Sequence, residues 1–311
     1  MRPLDARPLD LVGLAPLMAR SAGRPEVAVG LLDGLVAVGQ PAFAGRRLRL
    51  LPGRPDAAGG PAEAGSVCAT AGDGPCVHGS FVAGVLCADR ASPSPGICPD
   101  CTLLIRPIFA GHRADSGSVP AGCPTPLGAS AEELAAAVVE AVDAGARVLN
   151  LSVAPERPSS SGHRELTAAL DHAAARGVLT VVAAGNQGRL GSSVLTRHPW
   201  TIPVVGYDGR GRPMGLSNLG GSIGARGVGA PGQAVVQLDP GERPLVLSGT
   251  SVAVPFVTGT LALLLSCFPG AAPAEVRAAV LRGTARASAR RSVVPPLLDA
   301  WAAYERLRAD L

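Results

Sequence analysis

The chain has 311 residues, 47% of them hydrophobic and 3% aromatic, with a formal net charge of +4. So small a charge, without a basic stripe interleaved with aromatics, argues against a nucleic-acid surface. No unbroken run of about 18 apolar residues marks a membrane span. A chain of this length can bury roughly 75% of its unfolded surface, so its core needs no staples.

In chain order, the apolar run Leu11–Ala19 is interrupted by Gly13 and Pro16 and follows acidic residues rather than a positive n-region. It does not read as a secretion signal, and the expected compartment is the cytosol. Val27–Leu32, Thr102–Ile108, Arg147–Leu151 and Val178–Ala183 are continuously apolar, as buried parallel strands are. Between them Ser130–Ala144 and Arg164–Arg176 have helical spacing, with Ser130 and Glu133 placed for a capping box. Gly145 and Gly177 stand where helices end.

Strands alternating with helices predict an α/β fold, a doubly wound, mainly parallel sheet flanked by helices. The rhythm spans about residues 25–283 of one domain covering 1–311, with 284–311 as a C-terminal extension packed outside. Residues 52–66 and 111–129, rich in Gly, Pro, Ala and Ser, read as surface loops. The arginines between 282 and 291 read as a solvated helix end and loop.

Seven cysteines are present, six of them at positions 68, 76, 87, 98, 101 and 123. Reduced thiols, one or two loop disulfides, or a thiolate metal site are all compatible with this pattern. The last lacks a second closely spaced pair beside Cys98 and Cys101.

Four segments carry chemistry. The strand Val27–Leu32 ends in Asp33-Gly34, a carboxylate at the edge where open α/β sheets bind ligands. His78-Gly-Ser-Phe-Val-Ala-Gly84 opens a short helix with an imidazole. Val181-Val-Ala-Ala-Gly185-Asn186 runs a strand into a carboxamide, a donor that does not titrate. Ser248-Gly-Thr-Ser251-Val-Ala-Val-Pro255 sets a serine at the start of an apolar helix. There its amide is unpaired and the dipole favours developing negative charge. Pro255 falls in or near the first turn, where a missing N–H does little harm.

In this order, Asp then His then Ser, the segments resemble the subtilase family's motifs. The family likeness implies Asp33, His78 and Ser251 as a catalytic triad and Asn186 as an oxyanion donor. It also implies Leu151, Ser152, Val153, Ala184 and Gly185 as the lining for an extended peptide. Asp33-Gly34, Gly96–Phe109, Asp208–Pro213 with Leu216-Ser-Asn218, and Gly229–Gly232 are similar to the subtilases that cleave leaders from cyanobactin precursor peptides. Ser80-Phe81 and Val153-Ala154-Pro155 depart from the common family pattern and bear on substrate preference.

The resemblance implies a serine endopeptidase working through an acyl-enzyme on a precursor or leader peptide. A general degradative subtilase and a non-catalytic peptide-binding scaffold are the alternatives. No cofactor or metal is expected: structural calcium occurs in the family, but Asp73, Asp100, Asp115 and Asp208 stand isolated. His112, His163, His172 and His198 likewise lack partners at informative spacing. Neither nucleic acid nor membrane is an expected partner, and the oligomeric state is not legible.

Overall fold

A computed structural model describes residues 8–53, 74–108, 129–153, 163–282 and 292–310. The loops expected at 52–66 and 111–129 fall largely outside these residues. So do Cys68, Asp73, His112, Asp115, Cys123, Ala154-Pro155 and the arginines at 286, 290 and 291.

Two short helices, α1 (Pro8–Leu11) and α2 (Leu14–Arg20), precede the first strand. The strands are β1 (Ala28–Asp33), β2 (Arg47–Leu50), β3 (Thr102–Pro107), β4 (Val148–Leu151), β5 (Leu179–Ala183), β6 (Ile202–Tyr207), β7 (Val228–Pro231), β8 (Val235–Leu238) and β9 (Pro244–Leu247). The remaining α-helices are α3 (Gly74–Cys87), α4 (Ala131–Asp143), α5 (His163–Ala175), α6 (Val194–Arg197), α7 (Gly221–Arg226), α8 (Thr250–Cys267), α9 (Pro273–Arg282) and α10 (Ala300–Asp310).

Seven strands form one sheet in the order β2-β3-β1-β4-β5-β6-β7, every pair of them parallel. Successive residues of a strand point to opposite faces. Val29 and Leu31 of β1, Val148 of β4 and Val181 of β5 face a core shared with α3, α8, α9 and α10. Leu32, Leu149, Leu151 and Val182 face the other way, onto α4 and α5. Strands covered on both sides must be apolar throughout, which is why no alternation is visible in their sequences.

From β1 the chain builds β2 and β3 on one side and β4 to β7 on the other. The order therefore reverses between β1 and β4. A doubly wound sheet opens a crevice at such a reversal, beyond the carboxyl ends of the strands.

Helix α8 is apolar and long enough to cross a membrane, but 89% of it is buried inside the protein. It lies against β4, β5, β6 and β7 as the central core helix. The C-terminal segment is more integrated than its sequence suggests. Leu298, Ala300, Ala303 and Leu307 enter the main core, and Tyr207 donates its hydroxyl hydrogen bond to Pro295 O across to that segment. Trp301 stacks on Tyr304 with ring centroids 4.9 Å apart, and Arg20 of α2 covers Trp301.

Candidate active site

Asp33 is the last residue of β1 and is fully buried. Its Oδ1 accepts hydrogen bonds from Gly34 N and from His78 Nδ1, each at 2.7 Å. Since the carboxylate can only accept, Nδ1 carries the proton and the neutral ring presents Nε2 as its base. Burial pulls the His78 pKa down, but attraction to Asp33 and the hydrogen bond to it outweigh that, so the imidazole lies above its ordinary 6.5.

Two glycines allow this contact. A Cβ at Gly34 would stand 1.8 Å from Pro75 O, and one at Gly79 would stand 2.4 Å from Leu35 O. Helix α3 thus rests directly on the backbone that follows β1, and a Ser or Thr at position 34 has no room. The other carboxylate oxygen, Asp33 Oδ2, is buried with no hydrogen-bond partner among the described residues. The departure at Ser80-Phe81 is structural in its visible contacts: Ser80 Oγ accepts from Ala37 N at 2.9 Å, and Phe81 is fully buried.

Across the sheet, Leu32 of β1 pairs with Leu151 of β4, so Asp33 lies beside Ser152. Ser152 Oγ donates to the Ser251 carbonyl at 2.9 Å, placing the start of α8 on that same edge. Asn186 follows β5. Its Oδ1 accepts from Thr250 N at 2.9 Å and from Thr250 Oγ1 at 3.0 Å, while Thr250 Oγ1 accepts from Gly185 N at 3.2 Å. These donors fix the amide so that Nδ2 is left as a donor. Gly249, with φ +149°, brings the turn so close that a Cβ there would sit 3.1 Å from Asn186 Nδ2 and 3.5 Å from Ser251 Oγ.

The structure therefore gathers Asp33, His78, Asn186 and Ser251 at one sheet edge. Among the described residues no hydrogen bond joins His78 to the Ser251 hydroxyl; the imidazole bond present is the one to Asp33. In substrate-free enzymes such contacts are often long and tighten on binding. Of the residues expected to line a peptide, Leu151 has its side chain wholly in the core, and Ser152 spends its hydroxyl on Ser251 and Asn150. Val153 is half-buried, while Ala184 and Gly185 are buried beside the exposed Asn186.

The roles of three residues escaped the sequence reading: Thr250, which orients Asn186, and Asn150 and Thr258, which reach Ser251 through Ser152. One signal pointed to the last two. Pro255 lies inside α8, not at its harmless first positions, and deprives the Ser251 carbonyl of its helical donor.

The cysteines divide. Cys87, Cys98, Cys101 and Cys267 are free, whereas Cys76, two residues before His78, is disulfide-bonded. Among the described residues no group of His, Cys, Asp or Glu is arranged to hold a metal ion. Asp100 pairs with Arg46 and Asp208 with Arg212.

The model of the subtilase family matches residues 69–295, a span that includes His78, Asn186 and Ser251. This chain belongs to the subtilase family. Among solved subtilase structures it resembles the prenylagaramide maturation protease PagA, at 28% identity and a TM-score of 0.77 over 95% of this chain and 98% of that one. It also resembles the patellamide maturation protease PatA, at 29% identity and a TM-score of 0.73 over 92% and 98%. Subtilisin DY of Bacillus licheniformis is 30% identical over 205 residues, 64% of this chain and 67% of the relative. The thermostable alkaline protease of Halalkalibacterium halodurans is 30% identical over 201 residues, 64% and 50% respectively. The chain spans about half the length of several curated relatives it matches.

Proposed function

We propose that this subtilase is a serine endopeptidase in which Ser251 is the nucleophile, His78 the general base and Asp33 its orienting carboxylate. The observation that carries this reading is the 2.7 Å bond from His78 Nδ1 to a fully buried Asp33, one strand away from the start of α8. In the proposed reaction Ser251 Oγ attacks the scissile carbonyl and its proton passes to His78 Nε2. The imidazolium is held by Asp33 and returns that proton to the leaving amine. The oxyanion receives Asn186 Nδ2–H and the Ser251 amide at the N-terminus of α8. Water then repeats the sequence on the acyl-enzyme, with His78 again as base.

The substrate we propose is a ribosomally made precursor peptide. What supports this is the likeness, over nearly the whole length of both chains, to proteases named for the maturation of prenylagaramide and patellamide. Such a peptide would lie extended beside the Ser152–Val153 and Ala184–Gly185 segments, held mainly by main-chain hydrogen bonds. We also propose a cytoplasmic location; the free thiols favour it, the disulfide at Cys76 counts against it, and cell fractionation decides.

The test is labelling with a fluorophosphonate together with cleavage of a precursor peptide. A single adduct at Ser251 is expected. Its rate should rise with pH through one ionisation above 6.5, because only neutral His78 can accept the proton and its pKa is raised. A folded sample that takes no label would instead mark a peptide-binding scaffold. Labelling without precursor cleavage would leave a protease of different substrate.

A further inference from the structure

In an α-helix the carbonyl of residue i accepts from the amide of residue i+4. The residue four beyond Ser251 is Pro255, which has no amide hydrogen. The carbonyl of the proposed nucleophile would thus be left without its helical donor, in a helix whose interior is almost wholly buried. Ser152 Oγ, from the residue that follows β4, fills the vacancy at 2.9 Å.

The bond is the end of a chain. Asn150 Nδ2 donates to Ser152 Oγ at 2.8 Å, and Thr258 Oγ1 donates to Asn150 Oδ1 at 2.9 Å. Thr258 lies on α8 itself, two turns beyond Ser251, so the path leaves the helix, crosses the end of β4 and returns. Asn150 and Thr258 are fully buried, and Ser152 nearly so. The direction of every proton is forced. A carbonyl can only accept, so the single hydroxyl hydrogen of Ser152 goes to Ser251. Ser152 must then accept from the amide end of Asn150, which turns its oxygen to Thr258.

The behaviour of neighbouring hydroxyls separates this arrangement from ordinary helix packing. Thr260 and Ser266, also on α8, donate back to carbonyls of their own helix, Phe256 O and Ala262 O. Thr258 forgoes that local bond and reaches across to another element.

We propose that Thr258, Asn150 and Ser152 are positioning residues that set the first turn of α8, and through it the Ser251 hydroxyl and amide, against the sheet edge. The inference rests on the reading of Ser251 as nucleophile. Without the relay, the hydrogen bonds that tie the turn carrying nucleophile and oxyanion donor to the sheet would, among the described residues, be those of Thr250 with Asn186 and Gly185. A buried network in which each member is held by another selects a single geometry.

The experiment compares wild type, Thr258→Val and Thr258→Ser as full chains. Concentrations are set by active-site titration, at temperatures well below unfolding. Valine keeps the shape of threonine and removes the proton; serine keeps the proton. Thr258→Val is expected to lower kcat on a peptide substrate and the rate of fluorophosphonate labelling by about tenfold, the scale of one hydrogen bond. KM should stay within about twofold, and Thr258→Ser should recover most of the loss. Equal kcat per titrated site in Thr258→Val, with only a lower unfolding midpoint, would reduce the relay to a structural brace and overturn the proposal. If Thr258→Val does not fold, Ser152→Ala is read in the same way: kcat falling with KM held supports the relay, and an unchanged kcat overturns it. A wild type that takes no label would sink the nucleophile assignment itself, an outcome distinct from either.

Discussion

The two flanks of the sheet handle polar groups in opposite ways. At the carboxyl ends of β1, β4 and β5, Asp33, Asn150, Ser152, Thr250 and Thr258 are buried: Asp33 is bonded to His78, and the other four to one another, to Asn186 or to the start of α8. On the outer face, α4 and α5 are joined at the surface by His172 and Asp143 at 2.9 Å, with side chains 26% and 53% exposed. Burying polar groups is unfavourable unless each finds a partner, so a cluster like the first persists where its geometry is needed. A pair like the second is screened by water and adds little. What distinguishes the regions is the cost of breaking one member, not the number of bonds.

That comparison can be sharpened at both extremes. The largest effect belongs to the carboxamide that Thr250 holds in place. Asn186→Ala should lower kcat by about 10²–10³-fold while the protein remains folded, measured by steady-state hydrolysis of a peptide substrate. A loss below about fivefold would mean that Nδ2 is not aimed at the oxyanion. At the small end, His172→Ala should change unfolding free energy by less than about 1 kcal/mol in denaturant titration and leave kcat untouched. A larger change would erase the distinction drawn between the two faces.

Most of the frame was legible because buried parallel strands leave an unmistakable trace. Observed β1, β3, β4 and β5 each fall within one residue of the apolar runs that predicted them. Ser130 does cap α4 through Glu133 N at 3.1 Å, but the reciprocal half of the box is absent: Glu133 turns to the buried Arg106 at 2.7 Å. Tertiary charge pairing there overrides a local rule. Other strands were missed for reasons visible in their residues. β2 alternates Arg and Leu at the sheet's edge, β6 carries Pro203 in its interior, and β7 is too short and Gly-Pro-rich to signal a strand.

At the candidate site, short motifs named four residues that the fold brings to one end of the sheet, but not what holds them. Thr250, Asn150 and Thr258 act through contacts between segments up to 108 residues apart, which no local spacing encodes. Pro255 was the misread signal: expected at a harmless first turn, it lies inside α8 and leaves the Ser251 carbonyl without its helical donor. The disulfide at Cys76 was one of the three readings that the cysteine spacing left open.

The central claim is that Ser251 and His78 work as one device at that edge. The direct measurement is the kcat of Ser251→Ala, His78→Ala and the double variant on one peptide substrate. Each single change should cost about 10⁴–10⁶-fold, and the double should lose no more than the worse single, because a device missing either part is already disabled. Losses that multiply in the double variant would show two groups acting independently, and the account of the site would be wrong.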